Sequence, residues 1–160
     1  MPRIKKQRAG REVAFQTLYG LSFVPVSSKE ELRRAFLHSL GASGKSKLGD
    51  FEELAGFAWD LVEGVWNASS ELDAAISRYS HNWRVDRIGR VELVLLRLAV
   101  FEMLFRQDVS SRIAVREAFE LSRQFGADDA KNFINGILDA MAKAVESGEL
   151  TRIAEPCCNS

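Results

Sequence analysis

Apolar residues recur along the chain at the three- and four-residue spacing of an α-helix, and no segment shows convincing strand alternation. The first apolar stripe predicts a helix over residues 12–22, ended by Pro25. Ser27 or Ser28 is expected to cap a second helix, which has two glutamates in its first turn. The buried side of that helix repeats every four residues: Leu32, Phe36 and Leu40.

The same pattern continues beyond a Gly-, Ser- and Lys-rich stretch at 41–49, which is interpreted as a surface loop. A third helix is predicted from about Asp50, and Ser69 or Ser70 is expected to cap a fourth. Residues 86–106 are apolar nearly all round, which indicates the most buried helix. A turn at 108–111 and the stop residue Gly126 delimit the last two helices, at 113–125 and 129–145. The pattern therefore predicts an all-α fold of about seven helices.

Length and composition fit a single globular domain. The chain has 160 residues, of which 46% are hydrophobic and 28% charged. Its longest nearly apolar run, 93–101, contains Arg97 and is much shorter than the roughly 20 residues of a membrane-spanning helix. No apolar block follows the charged N-terminus, so no secretory signal is expected there. A cytoplasmic protein with no membrane partner is expected.

Charge is distributed unevenly, although the chain has 22 basic and 22 acidic residues. The first eleven residues contain five basic side chains and no acidic one, which leaves the rest of the chain at −5. A basic arm over 1–11 on a mildly acidic body points to nucleic acid or another anionic surface. The alternative is a solvated, disordered terminus. The basic residues of the arm are Arg3, Lys5, Lys6, Arg8 and Arg11.

Catalytic and metal-binding arrangements are not evident. The segment 41–46 ends in Gly-Lys-Ser like a phosphate-binding loop, but it has two residues between its glycines where that motif needs four. His38 and His81 are isolated from other metal ligands, and the two cysteines, Cys157 and Cys158, are adjacent near the C-terminus. We therefore expect no enzymatic activity, no cofactor and no metal site.

Nucleic-acid binding has a further candidate outside the arm. Single-stranded RNA is bound by stacking of its bases on aromatic and arginine side chains. Phe133 lies at the start of the last predicted helix beside Lys131 and is a candidate for such stacking. The competing interpretation is that Phe133 belongs to the hydrophobic core.

Three blocks of the sequence resemble the NusB transcription antitermination family. The first is RAGREVAFQTLY at 8–19, and the second lies within 87–103 and ends in LRLAVFEM. The third and strongest comprises AVREAFELS at 114–122, FGADD at 125–129 and FINGILD at 133–139. Together they cover most of the chain except about 24–50. Several ordered blocks at matching separations are more specific than any single motif.

This resemblance implies two three-helix bundles packed across each other. One helical domain is expected over 12–147, followed by a flexible tail at 148–160. The resemblance also implies binding of the boxA element of ribosomal RNA leader transcripts, together with the ribosomal protein NusE. That heterodimer would join an RNA polymerase antitermination complex. The alternative is a non-enzymatic protein-interaction scaffold of the same fold, for which five basic residues ahead of the first helix would be unnecessary.

The resemblance also assigns roles to individual residues. Tyr19 and Glu92 match positions on the face with which members of the family bind NusE. The residues expected to contact RNA, or to lie beside it, are those of the arm and three at the start of the last helix: Arg3, Lys5, Lys6, Arg8, Arg11, Asp129, Lys131 and Phe133.

Overall fold

The computed structural model describes residues 3–45, 49–81 and 84–152, and this part of the chain is all-α, as predicted. A 3₁₀ turn over Val85–Arg87 precedes the fourth helix. The chain divides into two compact units, residues 1–67 and 68–160, and the third helix contributes to both. The six helices of the described residues are α1 Arg3–Leu21, α2 Lys29–Ala42, α3 Phe51–Tyr79, α4 Arg90–Phe105, α5 Ser111–Phe125 and α6 Ala130–Ser147.

The first helix begins at Arg3, so the predicted start near residue 12 is wrong. The basic segment is the N-terminal half of α1 and not an arm ahead of it. Its Lys, Arg, Gln and Ala residues have favourable helix propensity. Its buried positions are Gly10 and Arg11, so no apolar stripe marks this segment. Hydrophobic periodicity therefore underestimates the length of this helix.

The predicted third and fourth helices are one continuous helix, which reduces the predicted seven helices to six. Ser69 and Ser70 lie inside α3 and cap nothing there. A serine caps a helix only where the preceding backbone leaves helical geometry. Here the buried stripe runs through this point at unbroken three- and four-residue spacing: Leu54, Ala58, Leu61, Val65, Ala68, Leu72 and Ile76.

In the first unit α1 packs against α2. The hydroxyl of Ser28 accepts a hydrogen bond from the backbone N–H of Glu31 at 3.2 Å, which confirms the predicted cap of α2. The helix then extends to Ala42, into the predicted loop. Beyond it Gly44 has φ +71°, a conformation that favours glycine. Of the predicted loop, residues 46–48 lie outside the described residues.

In the second unit α4 packs against α5 and α6, which also pack against each other. All but one of the residues from Val94 to Phe105 are buried, in agreement with the prediction that this is the most buried helix. The exception, Arg97, forms a bidentate ion pair with Asp73 of α3, with both N–O distances 2.7 Å. Such fork-to-fork pairing fixes the geometry between two helices as well as neutralising charge.

The predicted tail begins later than residue 148. Gly148 ends α6 in the left-handed conformation at φ +83°, and Leu150 is buried. The Arg152 guanidinium then donates to the carbonyl oxygens of Arg106 and Val109 at 3.2 and 3.0 Å. These bonds attach residues 148–152 to the second unit. Cys157 and Cys158 lie outside the described residues.

Candidate nucleic-acid interface

The N-terminal half of α1 is held against α3 by a close helix contact. A β-carbon at Gly10 would lie 2.6 Å from Cδ1 of Phe57 and 3.4 Å from the carbonyl oxygen of Leu54. Only glycine lets the two backbones approach this closely. The predicted RNA-binding segment is therefore a rigid helix on a packed support, with one side facing α3.

Arg11 lies on the packed side and is only 2% exposed. Its guanidinium carbon lies 5.3 Å from the centre of the Phe57 ring, a cation–π distance. A side chain enclosed in this way does not present its charge to a phosphate. Arg11 therefore contributes to the packing of α1 on α3, and its contact with RNA stays a prediction.

Lys6 is paired within the protein. Its ammonium lies 2.8 Å from Oε2 of Glu53 and 3.0 Å from Oδ2 of Asp50, and its side chain is 17% exposed. Hydrogen bonds to Glu53 and Asp50 raise the pKa of Lys6, and the bond to Lys6 lowers the pKa of the Asp50 carboxyl. Both groups are thus held in their charged forms, and the ammonium already has two anionic partners before any RNA binds.

The remaining basic residues of α1 are more accessible. Arg3 and Lys5 are exposed, and Arg8 is half-buried. Together with Lys6 they give the first unit a helix whose N-terminal two turns carry four cations. Such a helix can bind phosphates electrostatically without reading base sequence.

The start of α6, in the second unit, holds the other predicted RNA residues. Asp129 is exposed at the N-cap position, and its side chain makes no capping hydrogen bond. Lys131 pairs with Asp128, with Nζ and Oδ1 separated by 3.2 Å. The Phe133 side chain is half-buried, so its ring is neither fully enclosed in the core nor fully presented to solvent.

The two residues expected to bind a protein partner have distinct surroundings. Tyr19 of α1 is half-buried; its ring stacks on Phe15 with centroids 5.8 Å apart and meets Phe23 edge-on at 5.1 Å. Glu92 is the third residue of α4, where a carboxylate is favoured by the helix dipole. Its carboxylate folds back over Gly89, at the N-cap, and occupies the place that a β-carbon there would take.

The structure thus brings the basic residues of α1 together in the first unit and Asp129, Lys131 and Phe133 together in the second. Sequence reasoning missed the acidic counterpart of α1, Asp50 and Glu53. The signal available was the acidic start of α3, but spacing along the chain does not predict which helices pack together. It also missed an exposed apolar pair after α1, Phe23 at 52% and Val24 at 71% exposure.

Other kinds of site receive no support from the described residues. No group of three or more His, Cys, Asp or Glu side chains in this part of the chain is arranged to hold a metal ion. None of the described helices is both long and apolar enough to span a membrane. His38 and His81 are exposed.

Comparison with known proteins gives a consistent result. A model of the NusB family matches residues 8–143. The chain is 62% identical over 151 residues to the transcription antitermination protein NusB of Desulfovibrio desulfuricans, an alignment covering 94% of this chain and 92% of that protein.

Solved structures agree with the fold. The structure of T. maritima NusB is similar with a TM-score of 0.75 and 27% identity, covering 94% of this chain and 99% of that one. A crystal structure of the antitermination factors NusB and NusE in complex with dsRNA contains a chain with a TM-score of 0.72 and 23% identity, covering 90% of this chain and 99% of that one. At that identity the second similarity concerns the fold alone.

Proposed function

This chain belongs to the NusB family, and on that premise we propose that it is an RNA-binding transcription antitermination factor for ribosomal RNA operons. It binds boxA RNA together with the ribosomal protein NusE and joins an RNA polymerase antitermination complex, which places it in the cytoplasm. The observation that carries the proposal is the 62% identity to an antitermination protein over 94% of this chain.

The chemistry of the proposal is binding and not catalysis, so no residue is assigned to bond making or breaking. RNA phosphates bind the exposed side of α1 through Arg3, Lys5 and Arg8, while Asp129, Lys131 and Phe133 lie on or beside the RNA. Tyr19 and Glu92 serve NusE. The fold that the resemblance implies, two three-helix bundles, is part of the same proposal.

The proposal is tested by measuring the affinity for single-stranded boxA RNA at several salt concentrations, with and without NusE. Each phosphate contact to single-stranded RNA contributes about −0.7 to the slope of log affinity against log salt. The triple variant Arg3→Gln/Lys5→Gln/Arg8→Gln should bind boxA RNA more weakly and flatten the slope by about 2. Glutamine keeps the helix propensity of the positions it replaces.

The matched control removes the same charge from another helix of the first unit. Lys29, Arg33 and Arg34 are exposed on α2, outside the residues for which RNA contacts are proposed. Glutamine at these three positions should leave the slope nearly unchanged. Equal slopes for the wild-type protein and the α1 triple variant would contradict the RNA contacts proposed for α1. If the wild-type protein bound NusE but did not bind RNA, the result would support the scaffold alternative.

A further inference from the structure

The start of α3 places two carboxylates on one cation of the basic helix. The Lys6 ammonium is bonded to Glu53 at 2.8 Å and to Asp50 at 3.0 Å. The ammonium is the least accessible partner, since the Lys6 side chain is 17% exposed whereas Asp50 and Glu53 are 37% and 71% exposed. At this point of α1 the ammonium is thus already paired with two carboxylates of the protein.

Helix register explains why these groups meet. Lys6 precedes Gly10 by four residues on α1, and Glu53 precedes Phe57 by four residues on α3. Residues four apart lie on the same side of a helix. The contact that seats Gly10 on Phe57 thus also brings Lys6 to Glu53 one turn earlier on both helices. The ion pairs are part of the α1–α3 packing and not a chance contact of long side chains.

From this geometry we propose that Asp50 and Glu53 restrain RNA binding by competing with phosphate for Lys6. The inference rests on the proposed function, in which α1 binds RNA. A phosphate at Lys6 must share an ammonium that already donates to both carboxylates, and so weakens or displaces at least one of these bonds. The displaced carboxylate then lies beside the bound phosphate and repels it, so the acidic pair lowers affinity twice. Asp50 and Glu53 are in this way affinity-determining residues of the RNA site, although neither contacts RNA favourably.

Removing either carboxylate should therefore tighten RNA binding. Exposed ion pairs are weak, so Asp50→Asn and Glu53→Gln should each raise affinity by no more than about fivefold at low salt. The gain should shrink as salt is added, because screening weakens both the ion pair and the repulsion. Glu52→Gln is the matched control, since this exposed neighbour on α3 gives the same change in charge.

The experiment measures the dissociation constants of these variants for single-stranded boxA RNA and for an unrelated single-stranded RNA of equal length. Lys6→Met, alone and combined with Glu53→Gln, completes a double-mutant cycle. We expect the gain from Glu53→Gln to fall markedly in the Lys6→Met background, because the carboxylate then has no cation to withhold. If Glu53 had only a structural effect, the gain in RNA affinity from Glu53→Gln would not fall when Lys6 is replaced.

The outcomes separate this inference from the proposed function. If the wild-type protein binds RNA and the Asp50 and Glu53 variants match Glu52→Gln, the restraint is refuted while the function stands. A gain that persists undiminished without Lys6 also refutes it, because direct repulsion of RNA would then account for the effect. If neither the wild-type protein nor any variant binds RNA, both the inference and the proposed function fail. Circular dichroism and urea denaturation check that each variant is folded.

Discussion

Burial gives the five basic residues of α1 different roles, although the sequence presents them as one cluster. Arg3 and Lys5 are exposed, Arg8 is half-buried, Lys6 is paired with two carboxylates, and Arg11 is enclosed against Phe57. Equal charge therefore does not mean equal availability to RNA. This distinction can be tested by comparing one enclosed and one exposed position.

Replacement of Arg11 by Ala should lower the free energy of unfolding by roughly 2–4 kcal/mol, because a large buried side chain and its contact with Phe57 are lost. Lys5→Ala at an exposed position should change it by no more than about 0.5 kcal/mol while weakening RNA binding. Urea denaturation measures both unfolding free energies. If Arg11→Ala left stability unchanged, the enclosed position of Arg11 would be contradicted.

Asp129 is the N-cap residue of α6, and its carboxylate makes no capping hydrogen bond. Asp129→Asn loses only the interaction with the helix dipole, about 0.3–1 kcal/mol. If Asp129 lies near bound phosphates, the variant should bind boxA RNA more tightly, most visibly at low salt. Glu71→Gln on α3 of the same unit removes an equal charge and serves as the control. Unchanged or weaker binding at low salt would place Asp129 away from the RNA.

The contact between Gly10 and Phe57 determines how closely α1 packs on α3. Gly10→Ala puts a methyl group 2.6 Å from the Phe57 ring, so α1 and α3 must separate or the ring must move. The expected cost is about 1–3 kcal/mol in the free energy of unfolding. It should also weaken the Lys6 ion pairs, which depend on the same approach of the two helices.

Gly20 provides the control for this prediction within the same helix. No atom lies within 4 Å of a β-carbon placed there, and the residue is exposed. Gly20→Ala should therefore stabilise the protein by up to about 1 kcal/mol through helix propensity alone. Thermal and urea unfolding of both variants give the comparison. Stabilisation by both substitutions would show that α1 and α3 are not in tight contact at Gly10.

Of the two residues proposed to contact NusE, Tyr19 lies in the first unit and Glu92 in the second. Glu92→Lys should weaken NusE binding without loss of helicity, because a glutamate in a protein interface pairs with a basic group and a lysine repels it. Glu92→Gln keeps the shape of the side chain and should have a smaller effect. Isothermal titration with NusE and circular dichroism measure the two properties. Full NusE affinity in Glu92→Lys, or loss of helicity in both variants, would contradict this role.

Local sequence patterns were sufficient to predict the all-α class, a serine cap of α2 at residue 27 or 28, the buried α4 and the family. Each depends on information close in the chain: apolar spacing sets which helix faces are buried, and ordered blocks of residues identify relatives. The same local reasoning failed where a helix is stabilised by contacts with another helix. α1 has few apolar residues in its first half, and its support comes from Phe57 on α3.

Only the tertiary structure decided which basic side chains of α1 are exposed and which are buried or paired. Nothing in the spacing of Lys6 and Arg11 distinguishes them from Lys5, because all three follow the same basic pattern. Their neighbours, Asp50, Glu53 and Phe57, are about 45 residues away in sequence and meet α1 only when Gly10 packs on α3. Charge is a property of the residue, whereas burial and pairing are properties of the packed helices. The sequence therefore determined that this segment is positively charged, and the fold determined which of its cations are exposed and which are buried or paired.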